Sequence, residues 1–152
     1  DSAISAAQST ADAAKTRMDG WVSDSVITKF ELQGIKDERA FIIADKNDID
    51  KKCTKYNLTT HSDKTAYDTA YTNYKKTLDG IIDKFNNDTT LEKVDVPSAL
   101  TTQQTTFYSK RTNILEELVT ASETALSNVN DGDNKMGIVK EERLSVRQLL
   151  SQ

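Results

Sequence analysis

Residues that interrupt helices are scarce in this chain. Its 152 residues include a single proline, Pro97, and five glycines. Because proline lacks an amide proton and glycine weakens a helix, their scarcity leaves long stretches that can be helical. Hydrophobic residues make up 36%, which favours thin helical layers over a thick sheet-based core, and no region shows the sustained alternation of a half-buried strand. We therefore predict an all-α chain.

Charge of one sign is also lacking. The net charge is −4, and residues 28–57 carry seven lysines and arginines against six acidic residues. Since this balance provides no basic stripe for a phosphate backbone, we expect no nucleic-acid partner. No apolar run approaches the roughly 20 residues that cross a bilayer, so we expect no membrane partner. The single Cys53 excludes an internal disulfide.

The residues that carry catalysis or bind metals are few and scattered. His61 is the only histidine and lies in a predicted turn, without a second His or Cys at the spacing of a zinc site. Cys53 lies on a predicted helix face, where a cysteine is usually part of the core. The pairs Glu116–Glu117 and Glu141–Glu142 are adjacent on helices and point in different directions, as solvated residues do. We therefore predict no catalytic residues, no cofactor and no enzymatic activity.

An apolar stripe with spacings of three and four residues runs through the first 21 residues. It consists mainly of small side chains: Ile4, Ala7, Ala11, Ala14, Met18 and Trp21. One interpretation is a lead-in helix that packs on the rest of the chain. The other is a short coiled coil that joins copies of the protein in an oligomeric stalk.

Three further helices are predicted at about 28–56, 62–86 and from Thr101 or Thr102 to about 129. Their apolar faces are the residues Ile35, Ile42, Ile49, Cys53 and Tyr56, then Tyr67, Tyr71, Tyr74, Leu78, Ile81 and Phe85, and then Phe107, Arg111, Ile114, Leu118, Ala121 and Ala125. We expect Gly80 to mark a close helix contact, and Arg111 to cover apolar surface while its head reaches water. The predicted fold is an antiparallel three-helix bundle with a lead-in helix and a further C-terminal helix.

Residues 131–142, DGDNKMGIVKEE, partly match a calcium loop. Asp131, Asp133 and Glu142 take positions 1, 3 and 12 of such a loop. Lys135, however, places a cation at position 5, and Met136 stands at position 6, where the loop needs glycine. These residues are therefore only a weak calcium candidate.

An internal repeat explains the same segment better. Residues 27–36, ITKFELQGIK, resemble residues 138–147, IVKEERLSVR, 111 residues further along, and VSD at 22–24 echoes VND at 129–131 with four extra residues in the second copy. The first copy has no acidic cluster, so the pattern does not require calcium. We expect a lead-in segment at 1–21, one repeat unit at 22–129, and a turn at Asp131–Lys135 that opens a second, truncated repeat at 130–152. We therefore expect the chain to be part of a longer polypeptide.

The helical segments also resemble a known group of proteins. VSDSVITKFELQGIKDERAFIIADKNDIDKKCTKYNL resembles the start of helical repeats in minor structural and tail-fibre proteins of siphophages and prophages of Gram-positive bacteria. AYDTAYTNYKKTLDGII resembles the next helix of those repeats, TTFYSKRTNILEELV the third, and AQSTADAAK their alanine-rich spacers. The chain departs from the pattern at Phe30, where those proteins more usually have proline or a polar residue. The resemblance implies a structural module of a phage tail, and it transfers no catalytic residues.

Two functional hypotheses follow. The first is a non-catalytic spacer module in a phage or prophage tail, located in the virion, whose partners are other copies of the chain, neighbouring tail proteins and, as a further candidate, the host cell surface. The alternative is a host- or saccharide-binding helical module of a bacterial surface protein. In that case Tyr67, Tyr71 and Tyr74, or an exposed Trp21, would form the contact surface.

Overall fold

The computed structural model describes residues 2–136, with side chains as far as residue 129. Helices α1 (Ser2–Val22), α2 (Leu32–Lys55), α3 (Ser62–Asn87) and α4 (Leu100–Met136) account for most of this length. Two short strands, β1 (Val26–Thr28) and β2 (Lys93–Asp95), lie in the first and third connections. The prediction of an all-α chain is thus confirmed, apart from this small sheet.

The four helices share one hydrophobic core. Helix α3 packs against both α2 and α4, whereas α2 and α4 contact each other little, and α1 packs along α4. The predicted faces of α2 and α3 are largely buried, and on α4 the burial ends at Leu118. The predicted three-helix bundle is not confirmed in that form, because α1 contributes Ala14, Met18 and Trp21 to the same core.

The stripe on α1 is covered within the chain itself. Ala7, Ala14, Met18 and Trp21 are all buried, and α4 is the helix that α1 packs against. Alanine side chains let two helices approach closely, which suits a seam made mostly of small residues. This arrangement agrees with the lead-in interpretation. A coiled coil with other copies would need the same face of α1, and α4 already covers the buried part of that face.

The two strands form a small antiparallel sheet that the sequence pattern does not reveal. Ile27 of β1 pairs with Val94 of β2, and both side chains are buried. Because each strand has three residues, neither is long enough to show alternation. Helix α2 therefore begins at Leu32, later than the predicted position 28, after a turn in which the Thr28 amide donates to Glu31 Oε1 at 2.9 Å.

The connection between α2 and α3 fixes the ends of both helices. Helix α2 ends at Lys55, and Asn57, two residues further on, has a left-handed φ of 59°. The Leu58 amide donates back to the Cys53 carbonyl at 2.8 Å. Asparagine tolerates this conformation better than most residues. The N-cap of α3 is His61, whose side chain accepts from the Asp63 amide.

Helix α4 (Leu100–Met136) continues through the predicted turn at Asp131–Lys135. That prediction was therefore wrong. The turn-favouring residues Asn130, Asp131 and Asp133 suggested a break, but the segment contains only one residue that strongly weakens a helix, Gly132. A single glycine costs about 1 kcal/mol relative to alanine, which a long helix tolerates. The second repeat copy at 138–147 lies outside the described residues.

Two helical glycines have opposite surroundings. A β-carbon built at Gly80 would meet nothing within 4 Å, so the close helix contact predicted there is not found. At Gly34 on α2 the same atom would lie 3.1 Å from Cζ2 of Trp21. Gly34 is therefore the glycine that permits a close contact, because it lets the indole ring of α1 lie against α2.

These surroundings predict different effects of alanine. Gly80→Ala should raise the free energy of unfolding by about 1 kcal/mol, since it gains helix propensity without a clash. Gly34→Ala should raise the free energy of unfolding by less than Gly80→Ala does, or lower it, because the Trp21 ring must move. Urea denaturation of both variants measures the difference. Equal stabilisation by the two substitutions would contradict the packing of Trp21 on α2.

Candidate functional site

A buried carboxylate connects all four helices. Glu38 on α2 is 3% exposed. Its Oε2 accepts from the Tyr74 hydroxyl of α3 at 2.7 Å, and its Oε1 accepts from the Tyr108 hydroxyl of α4 at 2.8 Å. Arg17 on α1 is half exposed, and its Nη2 lies 3.4 Å from the same Oε1. Buried charge is tolerated when it is paired and hydrogen-bonded in this way.

A second buried carboxylate lies two helical turns away on α2. Asp45 accepts from the Tyr67 hydroxyl at 2.8 Å and from Nε of Arg111 at 2.9 Å. The guanidinium also lies 5.6 Å from the centre of the Phe41 ring. The prediction that the Arg111 head reaches water was wrong, because its side chain is only 14% exposed. Its Nη1 atom is buried and makes no hydrogen bond within the described part of the chain.

Two of the three tyrosines that the alternative hypothesis named belong to the core. Tyr67 and Tyr74 are fully buried, and their ring centres lie 5.5 and 5.7 Å, respectively, from that of Phe107. Their predicted place in the core is confirmed. Tyr71 is half-buried and lies beside Lys46. Trp21 is buried too. The alternative hypothesis therefore keeps only Tyr71 among the aromatic residues it named.

Burial sets the ionisation of these phenols. Burial raises the pKa of Tyr74 and of Tyr108 above that of a free tyrosine, and the nearby negative charge of Glu38 raises it further. Loss of solvent and the charge of Asp45 do the same to the pKa of Tyr67. The native protein therefore keeps all three phenols protonated as hydrogen-bond donors. They have the character of structural groups and not of general bases.

An ion cluster holds α2 to α3 near the N-terminal end of α3. Nζ of Lys64, which is 6% exposed, lies 2.7 Å from Asp50 and 2.6 Å from Asp68. Lys46 also bonds Asp50 and lies near Asp68. Burial favours a higher pKa for Asp50, but the bonds from Lys46 and Lys64 outweigh burial and lower it. The four charges neutralise one another, so the cluster presents no net charge to a ligand.

One group of three potential metal ligands comes together within the described residues: His61, Asp63 and Glu117, with ligand atoms within 4.8 Å of one another. Nδ1 of His61 accepts from the Asp63 amide at 3.0 Å, and its Nε2 faces Glu117 at 3.6 Å. A neutral imidazole has one lone-pair nitrogen, so accepting at Nδ1 places the proton on Nε2. A metal at Nε2 would break the helix cap, and His61 therefore has the geometry of a cap residue.

Other predicted site residues carry no assembled chemistry. Cys53 is fully buried, as predicted, and burial raises the pKa of its thiol, which opposes formation of a nucleophilic thiolate. The backbone of Asp131 and Asp133 is helical within α4, whereas Glu142 lies outside the described residues. No described helix is long and apolar enough to span a bilayer.

The sequence reasoning missed the partners of the polar core. Glu38 and Asp45 entered only as acidic residues in a charge balance, and Glu117 as a solvated residue. A signal was available for the first two, because both recur on the α2 face beside Ile35, Ile42 and Ile49 at helical spacing. An acidic residue beside an apolar stripe, with tyrosines on the neighbouring stripes, indicates an internal acceptor.

Removing the central carboxylate should be costly. Glu38→Ala leaves the hydroxyls of Tyr74 and Tyr108 buried without an acceptor, so we expect the free energy of unfolding to fall by about 3 kcal/mol or more. The matched control is Asp37→Ala on the exposed face of the same helix, with an expected change within about 0.5 kcal/mol. Adding Tyr74→Phe and Tyr108→Phe to Glu38→Ala should restore part of the loss. Equal effects of the Glu38 and Asp37 variants in urea titrations would contradict this role.

The raised tyrosine pKa values predict instability in alkali. The unfolded chain loses phenolic protons above about pH 10, whereas the native state retains three of them. Their contribution is therefore complete below about pH 10 and is lost as the pH rises, at about 1.4 kcal/mol per pH unit for each tyrosine. Unfolding titrations from about pH 8 to about pH 12 measure this slope, and Tyr67→Phe should make it shallower by one tyrosine's share. A stability that does not change over this range would refute the prediction.

Comparisons of the chain with protein-family models, with curated proteins and with solved structures gave no match.

Proposed function

We propose that this chain is a non-catalytic structural module, a spacer in a tail-associated protein of a phage or prophage. One observation carries the proposal: the polar side chains that could do chemistry are used to hold helices together. Glu38 and Asp45 accept hydrogen bonds from Tyr74, Tyr108 and Tyr67, and His61 caps a helix. Such a use of polar groups suits a part whose role is to set distance and shape.

The resemblance to helical repeats of tail and tail-fibre proteins, together with the internal repeat, supports the same proposal. In it, α2, α3 and α4 form the antiparallel three-helix body of one repeat unit, and α1 is the segment that leads into this body. The module acts in the virion. Its partners are other copies of the unit and neighbouring tail proteins, with the host surface as a further candidate.

The alternative is a host- or saccharide-binding module of a bacterial surface protein. Of the aromatic residues named for its contact surface, only Tyr71 is accessible, since Tyr67, Tyr74 and Trp21 are buried. A single half-buried tyrosine is a small platform for a sugar ring, so the spacer function is the better proposal.

The tail assignment predicts where the chain is found. An antibody raised against it should label the tails of purified phage particles from the strain that encodes it, and peptides of the chain should be present in their proteome. Antibody absorbed with the purified chain is the control. Absence from the particles, together with labelling of the bacterial surface, would favour the alternative.

The spacer role has a separate readout. An in-frame duplication of residues 22–129 should lengthen the labelled appendage by about 40 Å, roughly the length of a 26-residue helix at 1.5 Å per residue. Electron micrographs of mutant and parent particles measure this change. An appendage of unchanged length would show that the module does not set distance.

A further inference from the structure

Helix α4 extends beyond the core that it helps to form. Its inner face is buried at Ile114 and Leu118. Between Val119 and Val129, the last residue with a described side chain, no residue is buried, and Leu126 is 45% exposed. We call residues 119–129 the distal segment of α4.

The distal segment continues the inner stripe of α4 without the cover that the first half of the helix has. Ala121, Ala125 and Asn128 follow Ile114 and Leu118 at spacings of three and four residues. Among the described residues, no other helix buries these three side chains. Within the described part of the chain Ala121 is half-buried and Ala125 and Asn128 are exposed, so this end of the face is open to a partner.

Helix α1 shows how such a face can be used. It lies antiparallel to α4, since Ala3 lines one cavity with Leu118 and Ser122 while Lys15 lines another with Gln104. The buried residues Ala7 and Ala14 form its seam. A face with alanines at this spacing therefore packs on the first half of α4 in this protein.

The internal repeat relates α1 to the distal segment. Helix α1 runs into VSD at 22–24, and the distal segment runs into VND at 129–131. Aligning these motifs places three residues of the α1 seam on the open stripe of the distal segment: Ala14 on Ala121, Met18 on Ala125 and Trp21 on Asn128. Moving the alignment by the four extra residues of the second copy places Ala14 on Ala125, one turn further along the same face. Both alignments therefore equate the covered face of α1 with the exposed face of the distal segment.

We propose that the distal segment of α4 is a docking surface for a second copy of this module, where it takes the place that α1 holds here. The face of α4 that accepts α1 is lined by uncharged residues, Gln104, Thr105, Tyr108, Ser109 and Thr112. The distal segment carries one charge, Glu123, about half a turn from Ala125 and Asn128. No like charges oppose the contact between these two faces.

Within one chain α1 already fills the acceptor face, and none of the described residues buries the distal segment. In successive copies, α4 of one unit would serve as the lead-in helix of the next, which joins the units through one shared helix. This inference rests on the repeat and on the packing of α1. It does not rest on the tail assignment, which is tested on virions and would survive a failure here.

The test uses the full chain in two roles. The acceptor carries Ala7→Arg and Ala14→Arg to detach α1, and Ala125→Arg and Asn128→Arg to disable its own distal face. The donor is the unchanged chain. Sedimentation velocity of the mixture should show a one-to-one complex that neither protein forms alone.

Paired donor variants locate the contact. Ala125→Arg with Asn128→Arg in the donor should weaken the complex about tenfold or more, because two charges would be buried without partners. Thr120→Arg with Ser127→Arg adds the same charge at exposed positions about a third of a turn from the stripe and should leave affinity within about twofold. Both donor variants retain α1. If the donor's α1 bound the acceptor face in place of the distal segment, the two variants would bind equally well.

The acceptor's fold is followed by circular dichroism. If the acceptor is unfolded alone, the unchanged donor should restore its helicity, and the Ala125→Arg, Asn128→Arg donor should not. A folded acceptor that binds no donor would overturn the proposal, as would an unfolded acceptor that the donor does not rescue. Equal binding of the two arginine variants would overturn it too.

Discussion

The fold depends on one buried carboxylate. Glu38 on α2 receives a hydroxyl from α3, a hydroxyl from α4 and an arginine nitrogen from α1, so its two oxygens contact side chains of the other three helices. Apolar stripes alone can slide by a helical turn at little cost, whereas hydrogen bonds to a fixed carboxylate require one register. The hydrophobic core therefore supplies most of the driving force for folding, and Glu38 determines how the helices are aligned.

The apolar part of this arrangement could be predicted from the sequence, because helical periodicity is a local signal. The stripes of α2 and α3 are buried nearly as expected. The polar part could be predicted only in part. Helical spacing places Glu38 on the apolar face and Asp37 off it, but no local pattern shows which hydroxyls of the other helices Glu38 accepts from. The sheet was missed for a related reason: Ile27 is held by Val94, a residue distant in sequence. The turn predicted at Asp131–Lys135 is helical instead, because local turn preference is weaker than the propagation of a long helix.

The same distinction between local and distant signals applies to function. A catalytic or metal site would have required distant residues to converge, and His61 does meet Glu117 across the chain. Its other ring nitrogen, however, is the acceptor of a helix cap, which leaves the nitrogen facing Glu117 protonated. Tyr67 and Tyr74, which belong to an aromatic row in the sequence, likewise point inward. Each of these side chains stabilises the fold instead of forming a reactive site, and this supports the proposed structural role.

Trp21 gives the protein an internal reporter. It is the only tryptophan in the chain, it lies at the end of α1, and its ring lies against Gly34 of α2 in a buried position. Indole emission depends on whether the ring is in water or in the protein interior. The intrinsic fluorescence of the unmodified chain therefore reports whether α1 is seated, separately from the helicity of the remaining helices.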